Sequence, residues 1–92
     1  MSEFQGDLLI GGSTLRSLRG ELEDERPLSG SQDWSFVGRL DVPNRQASSL
    51  QLERQYLLKL SDGREGLIQL ISLTPLANGL LARFRPCLRR PR

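Results

Sequence analysis

Hydrophobic and polar residues alternate with period two through much of the chain. In Trp34-Ser35-Phe36-Val37-Gly38-Arg39-Leu40-Asp41-Val42, the residues Trp34, Phe36, Leu40 and Val42 share one face with Gly38, and Arg39 and Asp41 take the other. This is the pattern of a half-buried strand, ended by Pro43. Gly38 marks the expected place of a bulge or bend. Leu50 to Leu60 repeats the pattern: Leu50, Leu52, Tyr56, Leu58 and Leu60 lie on one face, and Gln51, Glu53, Gln55 and Lys59 on the other. A helix would scatter these leucines around its circumference.

Two reversals are expected downstream. The first is Ser61-Asp62-Gly63-Arg64, where Gly63 tolerates the positive φ of a tight hairpin turn. The second is Asn78-Gly79, a type I′ pair. A two- or four-residue loop at the first reversal sets Leu67, Ile71 and Leu73 on the face of Tyr56, Leu58 and Leu60. It leaves Leu57 on the opposite face with Ile68 and Leu70. A three-residue loop inverts that assignment, because side chains alternate with a period of two. At the second reversal a two-residue loop pairs Ala77 with Leu80 and Leu73 with Phe84. Leu80, Ala82 and Phe84 then join the core face, and Arg83 and Arg85 point away. Pro75 cannot donate to a ladder, so its strand lies at an edge there or bulges.

The first third is less regular. Phe4 to Ile10 reads as a strand closed by Gly11-Gly12. Leu15, Leu18 and Leu22 have helical spacing, yet Gly20 falls mid-segment, and Leu18-Arg19-Gly20-Glu21-Leu22 also alternates. Strand is the favoured reading over 13–24. Pro27 to Asp33 is a polar loop. The expected fold is all-β: a small antiparallel barrel or two-sheet sandwich of five or six strands with tight hairpins. One domain over residues 1–86 and a basic tail over 87–92 are expected.

Composition narrows the chemistry. The 92 residues include no histidine, which removes the commonest general base and metal ligand. The single cysteine, Cys87, cannot form an internal disulfide or a paired-cysteine metal site. Gly66 to Ala82 carries no charge but includes Pro75 and Asn78-Gly79 and is short for a membrane helix. The N-terminal segment, with two acids and no basic region, is expected not to be a signal peptide. A cytoplasmic setting follows by elimination. Gly11-Gly12-Ser13-Thr14 lacks the lysine and spacing of a phosphate loop. Asp62 is explained by its tight turn. No catalytic residue, cofactor or metal is expected.

Charge is unevenly placed, with net −3 over residues 1–46 and net +5 over 47–92. Arg83, Arg85, Arg89 and Arg90 form a C-terminal cluster suited to phosphate. Base stacking needs exposed rings, and most of the five aromatics fall on the inferred core face. The second apolar face of Leu57, Ile68 and Leu70, joined by Val37, has two open outcomes: contact with another copy, or burial by a curving sheet. The expected function is a non-enzymatic protein-interaction module, binding a protein or itself through a sheet face or edge. The alternative is a small β-barrel that binds nucleic acid through the arginine cluster.

Overall fold

Six antiparallel strands close into a single barrel: β1 (Ser2–Ile10), β2 (Ser13–Pro27), β3 (Trp34–Pro43), β4 (Gln55–Leu60), β5 (Glu65–Leu76) and β6 (Gly79–Pro86), in the spatial order β1-β2-β3-β6-β5-β4. The computed structural model describes residues 2–10, 13–28, 33–47 and 50–87. One helical turn, α1 (Asn44–Ala47), follows β3. Among the described residues no helix is long and apolar enough to cross a membrane. The seam that closes the barrel is the short ladder of β1 with β4, Gly6–Leu9 against Leu57–Leu60.

The interior is filled by side chains. Leu8, Leu18, Leu22, Phe36, Leu40, Val42, Tyr56, Leu58, Ile68, Leu70, Ala82 and Phe84 are all within 2% of complete burial. No polar or charged side chain is buried with them among the described residues. The inward row of β3 is the one its alternation predicts, with Trp34 packed against the cluster's rim. Phe4 meets Phe84 edge to face at 6.3 Å between centroids, a favoured aromatic geometry.

The first reversal uses three residues. Lys59 pairs with Glu65 and Tyr56 with Ile68. The Leu60 N–H donates to the Arg64 carbonyl at 2.8 Å, and Gly63 sits at φ 100°. This inverts the parity expected from a two- or four-residue loop. Ile68 and Leu70 face the interior with no exposed surface, while Leu67 lies outside with Leu57. The proposed patch of Leu57, Ile68 and Leu70 therefore does not exist as a surface. Two of its members are core, and Leu57, half-buried, stands outside between Leu9 and Leu67.

Strand β4 is shorter than the alternating stretch predicts. Leu50 to Arg54 leaves the ladder, with Glu53 in the left-handed region at φ 65°. The segment turns across the end of the barrel instead. The Glu53 N–H donates to the Leu70 carbonyl at 2.9 Å, and the Gln51 N–H to the Tyr56 hydroxyl at 2.9 Å. Leu50 is carried into the core and Leu52 is left 51% exposed.

Strand, not helix, runs through 13–24. The three-residue step from Leu15 to Leu18 places both inside, because β2 holds one residue more than β1 at that point. Ser17, at φ 59°, absorbs the surplus, and its N–H donates to the Asp7 carboxylate at 3.0 Å. A second bulge adds Glu23 opposite the step from Gly38 to Val37, so the irregularity expected near Gly38 lies on the neighbouring strand. A third adds Ile71 in β5 and leaves it 44% exposed.

The second reversal occupies Ala77-Asn78, not Asn78-Gly79, and pairs Leu76 with Gly79 and Leu73 with Ala82. The register shifts by two residues from expectation and parity is unchanged. Ala82 and Phe84 are buried, and Leu80 packs against the core. Pro75 lies at an edge as expected, since β4 pairs with β5 only over Glu65–Gln69. Residues flanking a two-residue loop exchange hydrogen bonds, and alternation then turns the missing N–H of Pro75 away from β6.

Two substitutions test this packing. A Cβ on Gly38 would lie 2.1 Å from the Glu21 carbonyl oxygen. Gly38→Ala is expected to destabilise the fold by about 2 kcal/mol or more in urea unfolding. Leu70→Ala is expected to cost about 2–5 kcal/mol, as a core truncation, and to leave the solution mass unchanged. A change in mass without loss of stability would return Leu70 to an interface.

Candidate docking cleft

The stagger that closes the barrel leaves a gap in its wall. β2 pairs with β3 only from Arg19 onward, so among the described residues Ser13–Leu18 has β1 as its sole strand partner. Val42 and Pro43 at the end of β3 pair with β6 alone. The tip of the β5–β6 hairpin stands beside this opening. A cavity of about 510 Å³ lies between, with a largely apolar lining of Val42, Pro43, Leu76 and Leu80 and with Arg19 and Asp41 on its rim. Leu76 is 49% exposed, although it is one of the larger apolar side chains of the molecule. The volume falls in the ordinary range of ligand sites. The α1 turn braces the hairpin tip, where the Asn44 N–H donates to the Asn78 carbonyl at 3.1 Å.

A second concavity, about 420 Å³, adjoins the first on the outside of β1, β2 and β3. Arg19 and Asp41 belong to both. Its walls also carry Glu3, Glu21 and Arg39 above the backbone of Gly20. The Arg39 guanidinium donates to one Glu21 oxygen at 2.6 and 3.2 Å. That hydrogen bond, with the Glu21 charge, raises the Arg39 pKa above its ordinary value.

The opposite end of the barrel is latched shut. Arg64, at the end of the β4–β5 turn, reaches over β3 with its guanidinium 4.8 Å from the centre of the Trp34 ring and 5.9 Å from that of Phe36. Trp34 and Phe36 stack nearly parallel, 8° apart. Arg64 also bonds Glu25 of β2 and, at 2.9 Å, the Asp62 carboxylate. One side chain thus ties together β2, β3 and the turn. The bond to Glu25 raises the Arg64 pKa against the opposing effect of burial. Asp62 is lowered, first by the hydrogen bond its carboxylate accepts from the Arg64 backbone N–H at 3.0 Å and then by the guanidinium itself. Its role as a turn residue is the one expected from Asp62-Gly63.

Of the sequence-predicted arginines, Arg83 and Arg85 sit on the outside of β6, as their parity requires. Arg83 is 3.8 Å from Glu23, and Arg85 donates to the Gln69 side chain at 3.4 Å. Arg89 and Arg90 lie outside the described residues. Phe36, Tyr56 and Phe84 are buried, and Phe4 and Trp34 pack against the core. The arginine-bearing face therefore presents no stacking platform. Sequence reasoning missed the cleft, since Val42 and Leu80 read as ordinary core positions and Leu76 carries no motif.

Acid unfolding checks the latch. The folded pKa of Asp62 is depressed, so its contribution to stability is present at neutral pH and is lost as the pH falls through the folded value, beneath the ordinary carboxylate range. Asp62→Asn is expected to be less stable than wild type at pH 7 and to converge with it in the acid limb of a melting-temperature profile. Parallel profiles would show that Asp62 adds nothing to the latch. Comparisons with protein-family models, curated proteins and solved structures return no match for this chain.

Proposed function

We propose that the protein is a non-enzymatic interaction module that receives an extended segment of a partner protein in the cleft between β2 and the β5–β6 hairpin. The observation that carries this reading is an apolar cavity bounded by strand edges that have no strand partner among the described residues. An edge supplies main-chain donors and acceptors, and the adjoining pocket takes alternate side chains. Among the described residues Ser13–Leu18 offers such an edge, and the end of β3 beyond Asp41 faces it without pairing to it. Leu76 supplies apolar surface that the fold itself leaves half in water. The chemistry of the cleft suits binding better than catalysis: its floor is aliphatic, and the two charged groups on its rim belong to the outer face of the sheet.

A second copy of the chain is one partner such a cleft can take, through the edge of Ile71–Leu76 that no described strand covers. A single cysteine gives no sign of an oxidising compartment, and a cytoplasmic setting is part of the proposal.

Selection of random dodecapeptides displayed on phage tests the proposal. Wild type is expected to enrich a recognisable set of extended, apolar peptides. Leu76→Glu, at an exposed position, should keep the wild-type circular dichroism and bind those peptides about tenfold more weakly or worse, the equivalent of about 1.4 kcal/mol. Enrichment of no peptides, or equal binding to Leu76→Glu, would overturn it.

A further inference from the structure

We infer that the segment taken by the cleft pairs an apolar side chain with a basic one about two residues away, the basic side chain lying in the groove above Gly20. The inference rests on the docking reading and adds the partner's chemistry to it. The apolar cleft does not end at its rim. It continues past Arg19 and Asp41 into the second concavity, whose side chains bear three carboxylates and two guanidinium groups.

The charges there do not balance. Arg39 is engaged with Glu21 through two of its nitrogens. Arg19 stands opposite Asp41 in the β2–β3 ladder. Glu3 is left over. Its direct neighbour in the β1–β2 ladder is Glu21, so two like charges face each other on the same side of the sheet. Directly opposed like charges destabilise an antiparallel pair. Glu3 is exposed and makes no ion pair within the described residues. A cation delivered from outside relieves that repulsion and completes the neutral set.

Geometry gives the spacing. Pro43, on the outer row of β3 in the cleft, and Arg39, beside Glu21 on the same face, are four positions apart, about 13 Å at strand rise. An extended partner residue and its neighbour two positions on are about 7 Å apart and project to the same side. The length of a lysine or arginine side chain covers the remainder. An acidic side chain at that place would meet Glu3 and Glu21.

Two capped hexapeptides decide the matter, both of serine and threonine with leucine at the second position, one with arginine and the other with glutamate at the fourth. Each is titrated into labelled protein at low ionic strength and followed by backbone amide shifts. The arginine peptide is expected to move Val42 and Leu80 together with Gly20 and Glu21. It should bind about three- to fivefold more tightly than the glutamate peptide, the scale of an exposed ion pair. Glu3→Gln, at an exposed site, should bring the two affinities together. Equal affinities in wild type, a tighter glutamate peptide, or a ratio unchanged by Glu3→Gln would overturn the inference while leaving docking in the cleft intact. If neither peptide moves Val42 or Leu80, the docking reading fails with it.

Discussion

Four residue pairs between β1 and β4, Gly6–Leu9 against Leu57–Leu60, turn a six-stranded sheet into a closed wall, and most other features follow from that seam. A closed sheet has one inside. Every strand must then offer one apolar row to a shared interior and one row to water. Ile68 and Leu70 belong to the inner row because the three-residue turn sets Ile68 opposite Tyr56, and closure then buries that row completely. A chain of this size has little core to spare, and closure also removes edges that would otherwise invite pairing between molecules.

Closure has a geometric cost that is met locally. Strands wrapped this tightly must bend, and an ordinary ladder resists bending. Surplus residues at Ser17, Glu23 and Ile71 break the ladder at three places and let the strands coil. At Gly38 the neighbouring strand approaches so closely that a Cβ has no room. The same stagger that permits closure makes paired strands end at different heights, and the cleft is the place where β2 and β3 part company.

These bends also mark where the chain stops being legible. Strand β3 could be read correctly because its bulge is on its neighbour and its own alternation is unbroken from Trp34 to Val42. Leu15 and Leu18 could not be read with the same ease. A bulged strand puts residues three apart on one face, which imitates a helix, and the Gly20 objection and the alternation of Leu18 to Leu22 pointed the other way. The loop at Ser61–Gly63 shows the sharpest limit: one residue of loop length decides whether Ile68 or Leu67 is buried, and Asp62-Gly63 is compatible with either. For Leu50–Arg54 the alternation was real but irrelevant, because capping the barrel's end outweighed extending a strand. The cleft was invisible for a further reason. It arises from strand order and stagger, which no local pattern encodes.

The two ends of the barrel solve opposite problems. At one end Arg64 covers Trp34 and Phe36, and its charge is met by Glu25 and Asp62, so the aromatic surface is closed over by the molecule's own groups. At the other end Leu50–Arg54 turns across the interior and buries Leu50, but the outer side of the β5–β6 hairpin tip has no such cover among the described residues. Leu76 stays half exposed there beside strand edges that no described strand covers, and partway along the wall from it Glu3 faces Glu21 with no counter-ion of its own among the described residues. A fold that spends an arginine, two acids and a stacked ring pair on sealing one end has the means to seal both. That it leaves apolar surface and open backbone at the other, with surplus charge in the adjoining groove, is the physical basis for placing the function there, since each is a cost to the isolated barrel that a single well-matched partner would remove.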